Sequence, residues 1–156
     1  MRRANREVKD LKELEEILKA STVCRLAMQD KEGLYIVPMN YGYELKDGRL
    51  VLYLHSAKEG RKVSIMTQPG NQVAFEMDGG HKLIEGETPC QYGYSYQSIT
   101  GKGTAFLVED PEEKKHGLSV LMRCQTGKTF AFTDAAAESV AVFRIEAETF
   151  TGKRHG

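Results

Sequence analysis

One histidine and three cations fall within eight residues of the stretch LYLHSAKEGRKV: His55, Lys58, Arg61 and Lys62. If the segment after His55 is helical, the cations lie at i, i+3 and i+4 and share one face. Ser56 and Glu59 then match a capping box, and the first-turn amides carry partial positive charge. Three cations beside a positive helix end repel one another unless an anion joins them. Phosphate is the natural anion, because an Arg fork, two Lys charges and backbone amides can surround it. A solvated basic face on a surface helix explains the same residues. His55 ends a hydrophobic run. Imidazole titrates near neutrality and can orient a substrate or pass a proton. A strand-end histidine bonded to a loop is the plain alternative.

Other candidates are scattered. Pro38, in LYIVPMNYGY, has no amide to donate, so it marks an edge, a bulge or an opening in a sheet. The Ser98 hydroxyl can donate to a phosphate or simply face solvent. Gly101 and Gly103 are strand-bend glycines, since GxG without a following helix is not a dinucleotide fingerprint. Lys153 and Arg154 are cations in a C-terminal segment of the kind that often frays. Cys24, Cys90 and Cys124 form an odd set with no close pair, and CxxC and HxxxH spacings are absent. Reduced thiols and no metal site are the expectation.

The elements that must carry these residues follow from periodicity. Apolar positions at helical spacing in VKDLKELEEILK predict an N-terminal helix over about 7–19. Strands are expected over 23–29, 34–43 and 49–54, joined by turns as a three-strand antiparallel meander. A short helix over 57–67 follows, then a strand over 72–78. A polar stretch without clear periodicity leads to a long, bent strand over 92–108. Asp110-Pro111-Glu112-Glu113 starts a helix that runs to about Cys124. Residues 125–138 are ambiguous, and a last strand over 140–145 precedes a short tail at about 150–156. The sum is a mainly β chain: a six-stranded antiparallel barrel with flanking helices, in a single domain over 1–156.

Lys and Arg total 22, as do Asp and Glu. That balance argues against a dedicated nucleic-acid binder. No run approaches the roughly 18 apolar residues of a membrane helix. The N-terminus shows no secretory signal, so a cytoplasmic location is expected.

Taken in order, MRRANRE, CRLAMQD, YIVPMNYGYE, LYLHSAKEGRKV, VAFEMD, YQSITGKGTA, EDPEEKKHGL and VAVFRIEAETFTGK cover nearly the whole chain. This set resembles the pyridoxamine 5'-phosphate oxidase-like split-barrel flavoproteins, and within them the nitroimidazole-resistance (Nim-type) group. The resemblance implies an FMN-binding split barrel, with FAD sometimes replacing FMN, and a homodimer holding flavin at the subunit interface. It implies that Val37, Pro38, Met39 and Asn40 run along the flavin ring. Leu54, His55 and Ser56 would lie close by, and Lys58, Arg61 and Lys62 by the phosphate. Ser98, Lys153 and Arg154 would approach the cofactor, and His55 its reactive side. The implied activity is reduction of a small-molecule electron acceptor, such as the nitro group of a nitroimidazole. A non-catalytic flavin store or redox sensor fits the same cofactor residues. A haem-binding split barrel with His55 as axial ligand is a third reading.

Overall fold

The structure is a computed structural model that describes residues 4–156. The first three residues of the MRRANRE motif lie outside the described residues. After a 3-10 turn at Ala4–Arg6 comes a two-residue strand β1 (Glu7–Val8), then helix α1 (Leu11–Ala20). The helix begins later than its apolar periodicity predicts. Asp10 stands extended and accepts the Lys12 and Glu13 amides at 2.9 and 3.1 Å, which fixes the start. Leu14, Ile17 and Leu18 form its buried stripe.

Strands β2 (Val23–Asp30), β3 (Gly33–Asn40), β4 (Gly42–Lys46) and β5 (Arg49–Ser56) follow. The predicted second strand is therefore two strands, broken at Tyr41. The expected meander is corrected accordingly. β3 pairs with β2 from Val23↔Asn40 to Asp30↔Gly33, whereas β4 pairs with β5 from Gly42↔Tyr53 to Lys46↔Arg49. After α2 (Arg61–Met66) come β6 (Gln72–Ile84), β7 (Gly93–Leu107), α3 (Pro111–Thr126), α4 (Asp134–Glu138) and β8 (Ala141–His155).

The sheet is antiparallel and runs β3-β2-β6-β7-β8-β5-β4, with β1 paired to β8. Its two end strands, β3 and β4, are consecutive in the chain. Closure therefore comes from covalent continuity through Tyr41, not from a last ladder of hydrogen bonds, and this makes the barrel split. Among the described residues there are eight strands, not six: the break at Tyr41 adds one and β1 the other. The expected tail at 150–156 is also corrected. Lys153 pairs with Ser98 and Arg154 with Gln97, so β8 continues to His155. A register shift at Lys102/Gly103 lets β7 and β8 bend, as the glycine pair suggested.

Alternate residues of each strand point inward, and Leu26, Leu50, Leu52, Leu54, Phe75, Met77, Ile99, Phe143 and Ile145 fill the barrel. The three apolar residues of α1 join this core. A second, smaller cluster of Val108, Leu118, Ala137 and Val142 lies outside the barrel under α3 and α4. Asp110 caps α3 by accepting the Glu113 amide at 2.8 Å, as its motif predicted. Among the described residues no helix is long and apolar enough to cross a membrane.

Candidate functional site

The bend at Tyr41 leaves two strand edges unpaired on one side. Pairing of β4 with β5 stops at Gly42↔Tyr53. Beyond it the chain turns away as β3, whose ladder partner is β2 on its other edge. The free edge of Val37–Asn40 and the free edge of Leu54–Ser56 therefore diverge from a common vertex. Backbone N–H and C=O groups on these edges can pair with a ring that enters the gap, and Pro38 contributes no donor there.

Side chains divide by strand alternation. Leu54 is fully buried and Met39 nearly so, so their side chains serve the core and only their backbones are available to the gap. Val37 is half-buried against the same core, and Pro38 is exposed. Asn40 is tied down: its amide donates to Thr22 O at 3.1 Å. His55 faces outward beside Val142, its β8 partner, and is exposed. Ser56 is buried and donates to Ala57 O at 2.7 Å.

This last contact corrects the capping box. Ser56 does not cap α2. The helix starts five residues later behind Gly60, whose φ of 124° is one that side chains other than glycine rarely adopt. The helix is only six residues long, and Lys58 lies before it. The expected single face of three cations is therefore not formed.

Each cation has its own environment. Arg61 grips Asp30 with two bonds, Nε–Oδ2 at 2.9 Å and Nη2–Oδ1 at 2.8 Å, and its guanidinium lies 4.8 Å from the Tyr35 ring centroid. That hydrogen-bonded pairing holds the Asp30 carboxyl below its ordinary pKa and raises Arg61. Lys58 bonds Glu138 of α4 at 3.0 Å, and the buried Lys114 reaches the other oxygen of the same carboxylate at 3.3 Å. Lys58 first, then Lys114, hold the Glu138 carboxyl below its usual range. Lys62 is half-buried and has no carboxylate partner among the described residues. It is the cation of the three left free for an anionic ligand. Sequence reasoning missed Asp30 and Glu138 as clamps. Asp30 had read as a turn residue, and Glu138 lay in an ambiguous segment.

The remaining candidates lie elsewhere on the chain. Ser98 and Lys153 are cross-strand partners on β7 and β8, with Lys153 Nζ 5.8 Å from the Tyr96 ring centroid. Arg154 points to the other face and is pinned by Glu13 and Glu16 of α1 at 3.4 and 3.1 Å. β2 and β6 separate β3 from β7. Three strand spacings put Ser98 roughly 14 Å from the β3 edge along the sheet. Within one chain, the gap and the Ser98–Lys153 pair are not one pocket.

A concavity of about 1260 Å³ lies at the β4–β5 turn, between Glu15 and Lys19 of α1 and Arg123 and Cys124 of α3. It mixes both signs of charge and is wider than the roughly 300–1,000 Å³ of a shaped ligand pocket. None of the predicted site residues lines it. Cys24, buried beside Glu76, has its thiol pushed up to about 12 by burial, so it is an inert core residue.

The sequence pattern of the family described as pyridoxamine 5'-phosphate oxidase matches residues 10–154. The chain belongs to that family. A solved structure of a candidate 5-nitroimidazole antibiotic resistance protein from Bacteroides thetaiotaomicron is 36% identical, with a TM-score of 0.80. The match covers 95% of this chain and 86% of that one, and it bears out the resemblance to the nitroimidazole-resistance group. The FAD and heme binding protein of Mycobacterium smegmatis has a TM-score of 0.79 at 14% identity, covering 96% of this chain and 73% of that one. An FAD-binding protein of Mesorhizobium loti has a TM-score of 0.65 at 24% identity, covering 97% and 98%. At those identities the likeness is one of fold. No curated protein matches the chain significantly.

Proposed function

We propose that this member of the family binds FMN, with FAD as the alternative, in the gap between β3 and β5, and uses it as an oxidoreductase. The observation that carries the reading is the gap itself: two diverging, unpaired strand edges. The edges offer N–H and C=O groups suited to the polar rim of a flavin ring, and Lys62 suits its phosphate. Lys58 adds charge if it leaves Glu138, while Arg61 holds α2 against β2 through Asp30. The flavin, when bound, carries electrons from a donor to a small-molecule acceptor. We assign the acceptor class as nitro-aromatics such as nitroimidazoles, which the likeness to the Bacteroides thetaiotaomicron protein supports. His55, exposed at the end of β5, is the residue assigned to orient the acceptor or pass it a proton.

The proposal includes a homodimer in the cytoplasm. Ser98 and Lys153 stand apart from the β3 edge, with β2 and β6 between them and it. A second copy can bring its own Ser98 and Lys153 to the first copy's gap. Arg154, held by α1, is assigned a structural part.

An absorption spectrum of the purified protein, followed by titration with FMN and FAD, tests the reading. A flavin spectrum and saturable uptake support it. A colourless protein that takes up neither sinks it, and a haem spectrum would transfer His55 to an axial-ligand role. Turnover of reduced nicotinamide with a nitro-aromatic acceptor separates an enzyme from a flavin store.

A further inference from the structure

Glu138, the last residue of α4, is shared by two lysines. Lys58, on the segment between β5 and α2, donates to one of its oxygens at 3.0 Å, and Lys114 of α3 donates to the other at 3.3 Å. The two lysines differ. The Lys114 side chain is only 8% exposed, whereas Lys58 is 52% exposed. Residues 57–60 are exposed throughout and belong to no helix or strand. Glu138 is charged at neutral pH, because Lys58 first and then Lys114 hold its carboxyl below the usual range.

The Lys58–Glu138 bond is not what keeps either element in place. Ala137 of α4 is buried in the second apolar cluster. Thr133 caps the helix by accepting the Ala136 amide at 3.2 Å, and Asp134 bonds Lys115 of α3 at 2.8 Å. At the other end, Arg61 ties the start of α2 to Asp30. An ion pair that is 52% and 66% exposed on its two sides is weak in water. Glu138 does not lose its counter-charge when Lys58 departs, because the buried Lys114 stays. Lys114 in turn keeps its anion, and an unpaired buried ammonium would be costly. Lys58 can therefore leave at small cost, with no charge orphaned behind it.

Lys58 also stands where a ligand in the gap would meet it. It follows Ser56 by two residues, and Leu54–Ser56 is the open edge of β5. Two residues of chain span at most about 7 Å, and the long lysine side chain reaches further.

We infer that Glu138 competes with the flavin phosphate for Lys58, and that Lys114 holds Glu138 in position for the exchange. This rests on the flavin reading above and adds to it a residue that tunes affinity for a phosphorylated cofactor. A phosphate oxygen accepts from an ammonium as a carboxylate oxygen does. A phosphate monoester carries about −1.5 to −2 charge at pH 7, more than the single charge of Glu138, so the exchange runs towards the ligand. One ion pair breaks and another forms, and no proton changes place. Riboflavin has the same ring without the phosphate and gives Lys58 no new partner. Glu138 thus sets how strongly the site favours a phosphorylated flavin over the bare ring.

Flavin-fluorescence titrations of the full-length protein test the exchange, with FMN and riboflavin as paired probes and circular dichroism as the folding control. Glu138→Gln removes the competing charge and keeps an acceptor for Lys114. It is expected to tighten FMN roughly twofold to fivefold, the worth of an exposed ion pair, and to leave riboflavin unchanged. Asp134→Asn removes the same charge one turn earlier on α4 and is expected to change neither. In a Lys58→Met background, Glu138→Gln is expected to have no effect on FMN. FMN affinity that Glu138→Gln leaves unchanged or weakens overturns the inference. So does a gain that riboflavin shares, that Asp134→Asn reproduces or that survives in the Lys58→Met background. Should Glu138→Gln fail to fold, Glu138→Asp replaces it. Its shorter side chain keeps a charge beside Lys114 and draws back from Lys58, and the same outcomes decide. If wild type and variants take up neither probe, the cofactor reading falls and the competition with it. FMN uptake that ignores Glu138→Gln sinks the competition alone.

Discussion

The bent β3–β4 strand has two unpaired stretches, one on each side of Tyr41, and the protein treats them differently. On the α1 side the edge is sealed. The Tyr41 hydroxyl donates to Leu18 O and Ser21 O at 2.9 and 3.0 Å, closing the end of α1. Gln125 of α3 donates to Tyr41 O at 2.8 Å, and the Cys124 thiol contacts Tyr43 O at 3.8 Å. On the β5 side, His55 and Pro38 are exposed. Sealing one side fixes the angle of the bend, and that angle keeps the other side open. This contrast is what supports placing the proposed flavin at the bare edge.

The comparison breaks most readily at Gly42. A Cβ there would lie 2.4 Å from Leu121 Cα and 2.5 Å from Leu121 N, both rigid helix backbone. Gly42→Ala must lift α3 from β4 and is expected to cost about 3 kcal/mol, as overpacking does. Thermal denaturation measures it. A melting temperature equal to wild type would mean that α3 does not set the bend. Next in size is Tyr41→Phe. It keeps the ring but removes the donor from two buried helix-end carbonyls, at an expected cost of about 2 kcal/mol. Urea titration measures that cost.

The contrast between the sides was only partly legible in the sequence. Strand positions, the α1 stripe and the Asp110–Pro111 helix start follow from local periodicity and capping, and these were readable. The break at Tyr41 was not, because LYIVPMNYGY has unbroken strand character and the split is set by α3, which arrives some eighty residues later. β8 was read short at Ile145 for a similar reason. EAETFTGKRH is polar, and only its pairing with β7 makes it a strand. At the site, Pro38 and the basic stretch stood out by residue type. Their division of labour did not, because whether Arg61 or Lys62 is free depends on Asp30, 31 residues away in sequence.

That division sharpens the comparison on the open side. Lys62→Ala removes the free cation and is expected to weaken FMN binding tenfold to a hundredfold, the usual worth of a charge-assisted bond. Folding stability should stay within about 0.5 kcal/mol of wild type. Arg61→Ala is expected to act the other way round, loosening α2 from the β2–β3 turn with a smaller direct effect on affinity. Fluorescence titration with FMN and a thermal melt on both variants give the two readouts. If Arg61→Ala loses more affinity than Lys62→Ala while α2 stays in place, the roles are reversed.

The smallest effect expected is one of pH, and it too separates the sides. Asp30 and Glu138 have carboxyl groups held below their ordinary values by Arg61 and by Lys58 with Lys114. A group depressed in the folded state contributes stability above its unfolded pKa and loses it as pH falls through the folded one. The clamps on α2 and α4 are therefore intact near neutrality and weaken below about pH 4. The seal at Tyr41 uses carbonyls, an amide, a phenol and a thiol, none of which gains or loses a proton there. Hydrogen exchange at about pH 7 and about pH 2, below the depressed folded values, corrected for intrinsic rates, should show residues 57–67 losing protection while residues 41–45 keep theirs. Asp30→Asn should flatten the α2 response and leave the Tyr41 side unchanged. Equal loss on both sides would mean that acid opens the barrel as a whole, and that the open edge has no independence from the sealed one.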